Sequence, residues 1–139
     1  RIAEMCSTKD CIIAVMDVIK AFNNLRRRDI KAAIANFNNP LFTAFIHFLF
    51  ERNPSVVFKD RLSGRSLICE LITGILQGNP ISVFLFALTV AFILRPFRDK
   101  YKNELIVTAF VDDMKVISSP SALKSYPDRL REFFAIFTE

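Results

Sequence analysis

The sequence predicts an α+β fold, and three observations carry that prediction. Short β-branched runs that read as strands alternate with longer stretches whose apolar residues recur at helical spacing. Two of the strand-like runs, CIIAVMDV (11–18) and ELIVTAFV (104–111), place aspartates at or just beyond their ends. With 52% apolar residues, 24% charged residues and three glycines in 139 residues, the chain can bury a sizeable core. The same numbers, with no heptad pattern, exclude collagen-like, coiled-coil and disordered classes. One domain covering 1–139 is the most this length supports. A start at Arg1 and an end inside a helix-like pattern suggest a piece of a longer protein.

In chain order, 11–18 is a buried strand that delivers Asp17. Asn24 is positioned to cap a helix over 25–37, with Leu25, Ile30, Ala33, Ile34 and Phe37 on one stripe. Asn38-Asn39-Pro40 breaks it, and 41–50 is a second, aromatic-rich helix ending near 52–54. Runs 55–61 and 66–72 form a hairpin around Leu62-Ser63-Gly64-Arg65. TGILQGNP (73–80) reads as a loop, and Pro80 opens a helix over 81–100. Strands over 104–111 and 114–118 make a hairpin with Asp112-Asp113 at its tip. A last helix covers about 127–137, with Ser125 as its cap.

A net charge of +5 and a pI near 9.4 point weakly to an anionic partner. Cys6, Cys11 and Cys69 fall in no metal-ligand spacing and read as thiols of a reducing compartment. No signal peptide pattern is present in 1–9. The uncharged stretch 71–94 is broken by Gly74, Gln77, Gly78, Asn79 and Pro80. Its continuous apolar part, 81–94, falls short of the roughly 20 residues of a spanning helix. A buried core helix behind a polar loop is therefore expected, with no membrane segment. Phe42, Phe45, Phe48 and Phe50 are expected in the core rather than as a base-stacking platform. His47 is expected as a hydrogen-bonded core histidine and Cys69 as a small packing residue. Arg26-Arg27-Arg28 with Lys31 reads either as a solvated helix face or as a phosphate contact.

Adjacent aspartates after an apolar strand raise one another's pKa unless a cation lies between them. Asp112-Asp113 is thus either a solvated turn or part of a cation site, which Asp17 joins if the sheet brings it near. Carboxylates without His or Cys suit Mg²⁺ or Mn²⁺ rather than zinc. Two such ions about 3.5–4 Å apart would clamp an in-line phosphoryl displacement.

Three segments decide between these alternatives. Asp17-Val18-Ile19-Lys20-Ala21-Phe22, Gln77-Gly78-Asn79-Pro80-Ile81-Ser82 with Leu85-Phe86, and Phe110-Val111-Asp112-Asp113 together resemble the palm motifs of reverse transcriptases, most closely those of non-LTR retroelements. The resemblance covers nearly the whole chain. It implies a polymerase palm, with a small antiparallel sheet on helices, lacking the N-terminal fingers part and the thumb. The implied activity is that of an RNA-directed DNA polymerase, a nucleotidyltransferase using two Mg²⁺ (or Mn²⁺) ions, an RNA template, a DNA primer and dNTPs. Its place is intracellular, nuclear or cytoplasmic.

Carried over by position, the resemblance makes Asp17 and Asp112 the principal metal ligands, helped by the Val18 carbonyl, with Asp113 in support. Phe22 becomes the steric gate whose ring leaves no room for a 2′-hydroxyl. Lys20 and Ala21 present backbone N–H groups to the triphosphate. Gln77 and Gly78 line the nucleotide pocket, Gly78 permitting close backbone approach. Asn23, Asn79 and Val83 depart from the family pattern, and none of them removes an implied metal ligand. The alternatives are a catalytically inactive remnant or a nucleic-acid-binding module derived from the same fold. Without fingers and thumb, the 139 residues alone are expected to be inactive or nearly so.

Overall fold

Every strand-like run within the described residues finds an antiparallel partner, because a half-buried extended segment must satisfy its backbone across a ladder. The computed structural model describes residues 11–18, 20–50, 55–70, 72–76 and 78–138. Their order is β1 (Ile13–Asp17), α1 (Ala21–Asn24), α2 (Arg27–Phe37), α3 (Pro40–Phe50), β2 (Ser55–Lys59), β3 (Ser66–Glu70), α4 (Pro80–Lys100), β4 (Leu105–Phe110), β5 (Asp113–Ser118) and α5 (Tyr126–Thr138). A short 3₁₀ turn, Pro120–Ala122, precedes α5. The mixed α+β class expected from the sequence is what forms. The chain divides into two compact units, 1–19 with 90–139, and 20–89.

The first unit is built on a three-stranded antiparallel sheet of order β1-β5-β4. Along β5 Met114, Val116, Ile117 and Ser118 are buried, while Asp113 and Lys115 are exposed. In the same unit Val90, Leu94, Phe97, Tyr101, Leu105, Tyr126 and Phe133 are buried. Phe97 meets Tyr101 at 4.9 Å and Phe133 at 5.4 Å between ring centroids, both edge-on, so α5 packs on the end of α4 through aromatic edges. A polar rim reinforces this contact. Lys100 reaches Glu132 at 2.7 Å, Arg129 reaches Glu104 at 3.3 Å, and Tyr101 donates its hydroxyl to Glu132. The Lys100 ammonium and then the Tyr101 hydroxyl hold the Glu132 carboxyl below its ordinary value.

Tyr126 pins α5 to the sheet. Its hydroxyl accepts from the Ala14 N–H at 3.0 Å and donates to the Val116 carbonyl at 2.6 Å, and these two residues are cross-strand partners. Burial pushes the Tyr126 hydroxyl pKa up, against the smaller opposing effect of the Ala14 N–H. The neutral form is therefore the one the fold holds. Stability from this group is fully present below the unfolded tyrosine's pKa of about 10 and is lost as pH rises through the higher folded value. Tyr126→Phe is expected to lose about 1–2 kcal/mol at pH 7 and to flatten that alkaline loss. Urea unfolding at pH 7 and across the alkaline range checks both.

The second unit holds α1 to α3, the β2–β3 hairpin and the start of α4. Its buried side chains include Leu25, Ile30, Ala33, Ile34, Ile46, Ile75, Leu85 and Phe86. The α2 stripe over Ile30, Ala33 and Ile34 matches the periodicity read from the sequence. The helix begins later than expected, however. Asn24 ends the unforeseen single turn α1 instead of capping α2, whose N-cap is Arg26 in an extended conformation. Arg26 then pairs with Asp29 at 2.6 Å in the first turn, where a carboxylate also meets the helix dipole favourably. The break after α2 comes from Asn38, left-handed at φ 54°, and from Asn39, whose side-chain oxygen accepts the Phe42 N–H at 3.0 Å. Ser125 lies at the start of α5, and its hydroxyl donates back to the Ala122 carbonyl.

The β2–β3 hairpin forms with Ser55 opposite Glu70 and Lys59 opposite Ser66. Asp60 closes it, receiving the Ser63 hydroxyl and then the Leu62 N–H, which hold its carboxyl below the ordinary value.

Three sequence expectations fail here. Phe45 and Phe48 are 47% and 74% exposed rather than in the core, because the buried side of α3 centres on Ile46. His47 is exposed, and Cys69 is an exposed thiol on β3. The Phe42 ring instead joins a cluster with Phe37 and Phe84 at 5.7 and 5.3 Å; the Phe50 side chain lies outside the described residues.

Helix α4 has 21 residues and, by length and composition alone, is long and apolar enough to cross a membrane, which the shorter run 81–94 did not suggest. A core helix passes the same test. Here Leu85, Phe86, Thr89, Val90, Leu94 and Phe97 are buried at helical spacing, and Thr89 donates its hydroxyl to the Leu85 carbonyl at 2.7 Å.

Candidate active site

The carboxylates singled out in the sequence gather at one end of the β1–β5–β4 sheet. β1 pairs with β5 so that Asp17 stands directly opposite Asp113. The ladder continues one step further, with the Val18 N–H donating to the Asp112 carbonyl at 3.2 Å. Rungs 18–112 and 16–114 therefore flank a pair whose side chains share one face and whose backbones approach most closely, about 4.5 Å between Cα atoms. Two like charges directly opposite destabilise a sheet. Asp17, Asp112 and Asp113 are all exposed, and among the described residues no ion pair reaches any of them.

The tip of this hairpin is strained. Phe110 pairs with Asp113, leaving Val111 and Asp112 as a two-residue turn, and Val111 adopts φ 54°. A β-branched residue in the left-handed region is a genuine outlier, at about 1–3 kcal/mol. The pattern Phe-Val-Asp-Asp gives no hint of it, since turns with positive φ ordinarily use Gly, Asn or Asp.

These carboxylates supply only oxygen donors, the chemistry a hard divalent cation prefers. The donor set fits such an ion, with Asp17 and Asp113 as a facing pair and Asp112 beside them. Among the described residues, however, no three His, Cys, Asp or Glu side chains are grouped closely enough to form a metal cluster.

The remaining candidate residues belong to the second unit. Lys20 is left-handed at φ 53° and is the N-cap of α1; its carbonyl accepts the Asn23 and Asn24 N–H groups at 3.0 Å each. Ala21 is buried and Phe22 half-buried. The Phe22 ring stacks on the buried Phe86 with centroids 4.9 Å apart and planes at 29°, which holds it in one orientation. Gln77 lies outside the described residues. Gly78 has φ 92°, a conformation only glycine adopts without strain, and a Cβ there would have open space. Asn79 accepts the Ile81 N–H on its side-chain oxygen at 3.0 Å and so caps α4. Asp or Ser at this position would cap the helix equally well.

Gly74 is the residue that sequence reasoning missed. It sits at φ 68°, and a Cβ added there would lie 2.5 Å from the carbonyl oxygens of both Phe22 and Asn23. Its N–H donates to the Leu25 carbonyl at 3.1 Å, and the Ile75 N–H to that of Phe22 at 3.0 Å. The loop before α4 is thereby laced to the segment carrying Phe22. The Thr73-Gly74 dipeptide signals a turn but says nothing of a segment 50 residues earlier.

Comparison with known proteins bears on the whole chain. The family model for reverse transcriptase (RNA-dependent DNA polymerase) matches residues 3–136. A curated relative, the retrovirus-related Pol polyprotein from type-1 retrotransposable element R2 of Bradysia coprophila, is 24% identical over 110 residues. That match covers 76% of this chain and 12% of the relative. Among solved structures, apo telomerase from Candida tropicalis, truncated from the C-terminal domain, superposes with a TM-score of 0.62 at 16% identity. It covers 94% of this chain and 28% of that one, a likeness of fold. The chain thus spans only 12% and 28% of the two proteins' lengths.

Proposed function

We propose a function from one established premise: the chain belongs to the reverse transcriptase (RNA-dependent DNA polymerase) family. It is the palm region of a larger RNA-directed DNA polymerase, and the 139 residues act together with fingers and thumb parts of the same polymerase. The observation that supports this reading most is the facing pair Asp17–Asp113 beside the strained Val111-Asp112 turn, an arrangement unfavourable by itself that a bound cation would relieve.

In this reading the primer 3′-oxygen forms a bond to the α-phosphorus of a dNTP paired with an RNA template. The bond from that phosphorus to the bridging oxygen breaks, pyrophosphate leaves, and the hydroxyl proton passes to water. Two Mg²⁺ or Mn²⁺ ions, when bound, would supply Lewis-acid stabilisation of the attacking and leaving oxygens. Asp17, Asp112 and Asp113, with the Val18 carbonyl, would hold them. Lys20 and Ala21 offer backbone N–H groups to the triphosphate, and Gln77 and Gly78 line the nucleotide's pocket. The polymerase would work inside the cell, in nucleus or cytoplasm.

Phe22, braced by Phe86, excludes the 2′-hydroxyl by steric clash. Phe22→Val in the longer polymerase is expected to raise rNTP incorporation relative to dNTP by at least roughly 10- to 200-fold, the range for a single methylene's worth of pocket space. Single-nucleotide extension with each triphosphate reads this directly, and an unchanged ratio removes the gate.

A second reading is a remnant that binds nucleic acid without chemistry, to which the departures from the family pattern at Asn23, Asn79 and Val83 point. Calorimetric titration with Mn²⁺ separates the two. The polymerase reading expects binding that Asp17→Asn weakens at least about tenfold, and no binding at all supports the remnant.

A further inference from the structure

The first unit leaves one sheet edge open beside a basic groove. The order β1-β5-β4 makes β4 an outer strand among the described residues. Phe110 and Asp113 close the two-residue turn as a hydrogen-bonded pair, so alternation leaves Val107 and Ala109 in non-hydrogen-bonded pairs with Val116 and Met114. The N–H and C=O groups of Val107 and Ala109 therefore point away from β5, out of the edge. Leu105 belongs to the same outward set, and its N–H does leave the sheet, donating to the Tyr101 carbonyl at 2.8 Å. Edge strands are ordinarily guarded by charges, proline or a bulge. β4, LIVTAF, has no charge and no proline, and its register with β5 runs unbroken. Alongside, between β4 and the C-terminal half of α4, lies a cavity of about 450 Å³. Ala91, Leu105 and Val107 supply apolar lining, and Arg95, Arg98 and Lys102 supply cations. Asp99, the one carboxylate among the described lining residues, lies 3.8 Å from Arg95. No ion pair among the described residues reaches Arg98 or Lys102.

We infer that the β4 edge binds an extended acidic peptide as an added strand, its backbone on Val107 and Ala109 and its carboxylates against Arg98 and Lys102. Strand addition draws affinity from main-chain hydrogen bonds and selectivity from alternate side chains. Acids at every second position of such a strand share one face, so they meet the groove's cations together. A nucleic acid would satisfy the cations but has no N–H and C=O pattern to match Val107 and Ala109. A second copy of β4 would match the backbone, but LIVTAF carries no acid for Arg98 and Lys102. The site needs neither the aspartates at the sheet's end nor a metal ion, so it goes beyond the polymerase reading and does not rest on it.

The test is fluorescence anisotropy with the full chain in EDTA, using a labelled octapeptide of alternating Glu and Val. Arg98→Gln with Lys102→Gln, or Gln in place of every Glu in the peptide, is expected to weaken binding by roughly 2- to 30-fold, two exposed ion pairs. N-methylation of one alternating set of peptide amides is expected to weaken it by roughly 5- to 150-fold, two lost hydrogen bonds. Methylation of the other set is expected to leave binding unchanged, because those amides face away from β4. Val107→Pro removes an outward N–H and no β4–β5 hydrogen bond, and is expected to weaken binding by at least roughly 2-fold. Circular dichroism melting checks that each variant folds, and the methylated peptides test the edge on the unaltered chain. Lys124→Gln, an exposed lysine outside the groove, is expected to bind as wild type. Loss with one methylated set together with loss in the double glutamine variant supports the proposal. No binding of the Glu and Val peptide, equal effects of the two methylated sets, or an equal loss in Lys124→Gln overturns it. So does a Gln and Val peptide that binds as tightly. A short single-stranded RNA that displaces the peptide, is lost with the double glutamine variant and is kept by Val107→Pro makes the groove a phosphate site and overturns it. A dimer of the chain that sedimentation detects and Val107→Pro splits gives the edge to a second copy and overturns it as well.

Discussion

Asp112→Asn, made in the longer polymerase, is expected to lower Mg²⁺-dependent primer extension by about 10³-fold or more while leaving the fold intact. The substitution keeps the shape of the side chain and removes only its charge. The backbone carbonyl that receives the Val18 N–H stays in place, and the side chain is exposed at a turn. Its effect on stability should therefore remain within about 0.5 kcal/mol. Asp113→Asn has a different signature. Without metal it relieves the like-charge pair with Asp17, so thermal stability should rise by about 0.2–1 kcal/mol even as activity falls. Primer extension and thermal melting in EDTA, run side by side, give both numbers. Activity that survives Asp112→Asn would end the catalytic assignment.

Gly74→Ala should be the most damaging single-methyl change in the second unit. Two effects add. A non-glycine residue at φ 68° adopts a left-handed conformation that costs about 1–2 kcal/mol. The new methyl also lies 2.5 Å from two backbone carbonyl oxygens, and backbone cannot rotate away as a flexible side chain can. Overpacking of this kind adds about 1–3 kcal/mol, for a total near 2–5 kcal/mol. Gly64→Ala is the matched control, with a nearly identical φ of 66° and nothing within 4 Å of the added methyl, so it should lose only the conformational part. Urea midpoints of the two variants isolate the steric part by difference. The clash is with the Phe22 and Asn23 carbonyls, so Gly74→Ala should also disturb the gate. A polymerase that still folds should then discriminate less sharply against rNTPs. Equal losses in the two variants would show that the loop is not pressed against the Phe22 segment.

Much of the α+β fold was legible because its signals are local. The β-branching of 11–18 and 104–111, the helical stripe through Ile30, Ala33 and Ile34, and Pro80 at a helix start act over a few residues, and each element formed where they pointed. What failed depends on partners distant in the chain. The aromatic periodicity of α3 is real, but it does not tell which face is covered, and Phe45 and Phe48 stand exposed while Ile46 is buried. Asn24 has the right chemistry for a cap, yet the tight turn after Lys20 takes it first.

For the candidate site the division is similar. The sequence by itself picked out the candidate residues: three carboxylates next to apolar strands, an aromatic after the first of them, and a glycine in the polar loop before a long helix. Only the tertiary structure decided that Asp17 faces Asp113, that Val111 takes a strained conformation, that Phe22 rests on Phe86, and that Gly74 must be glycine. Residue type is a property of one position. Register and steric clearance are set by ladders and contacts between segments tens of residues apart, where a shift of one residue would turn every side chain to the opposite face.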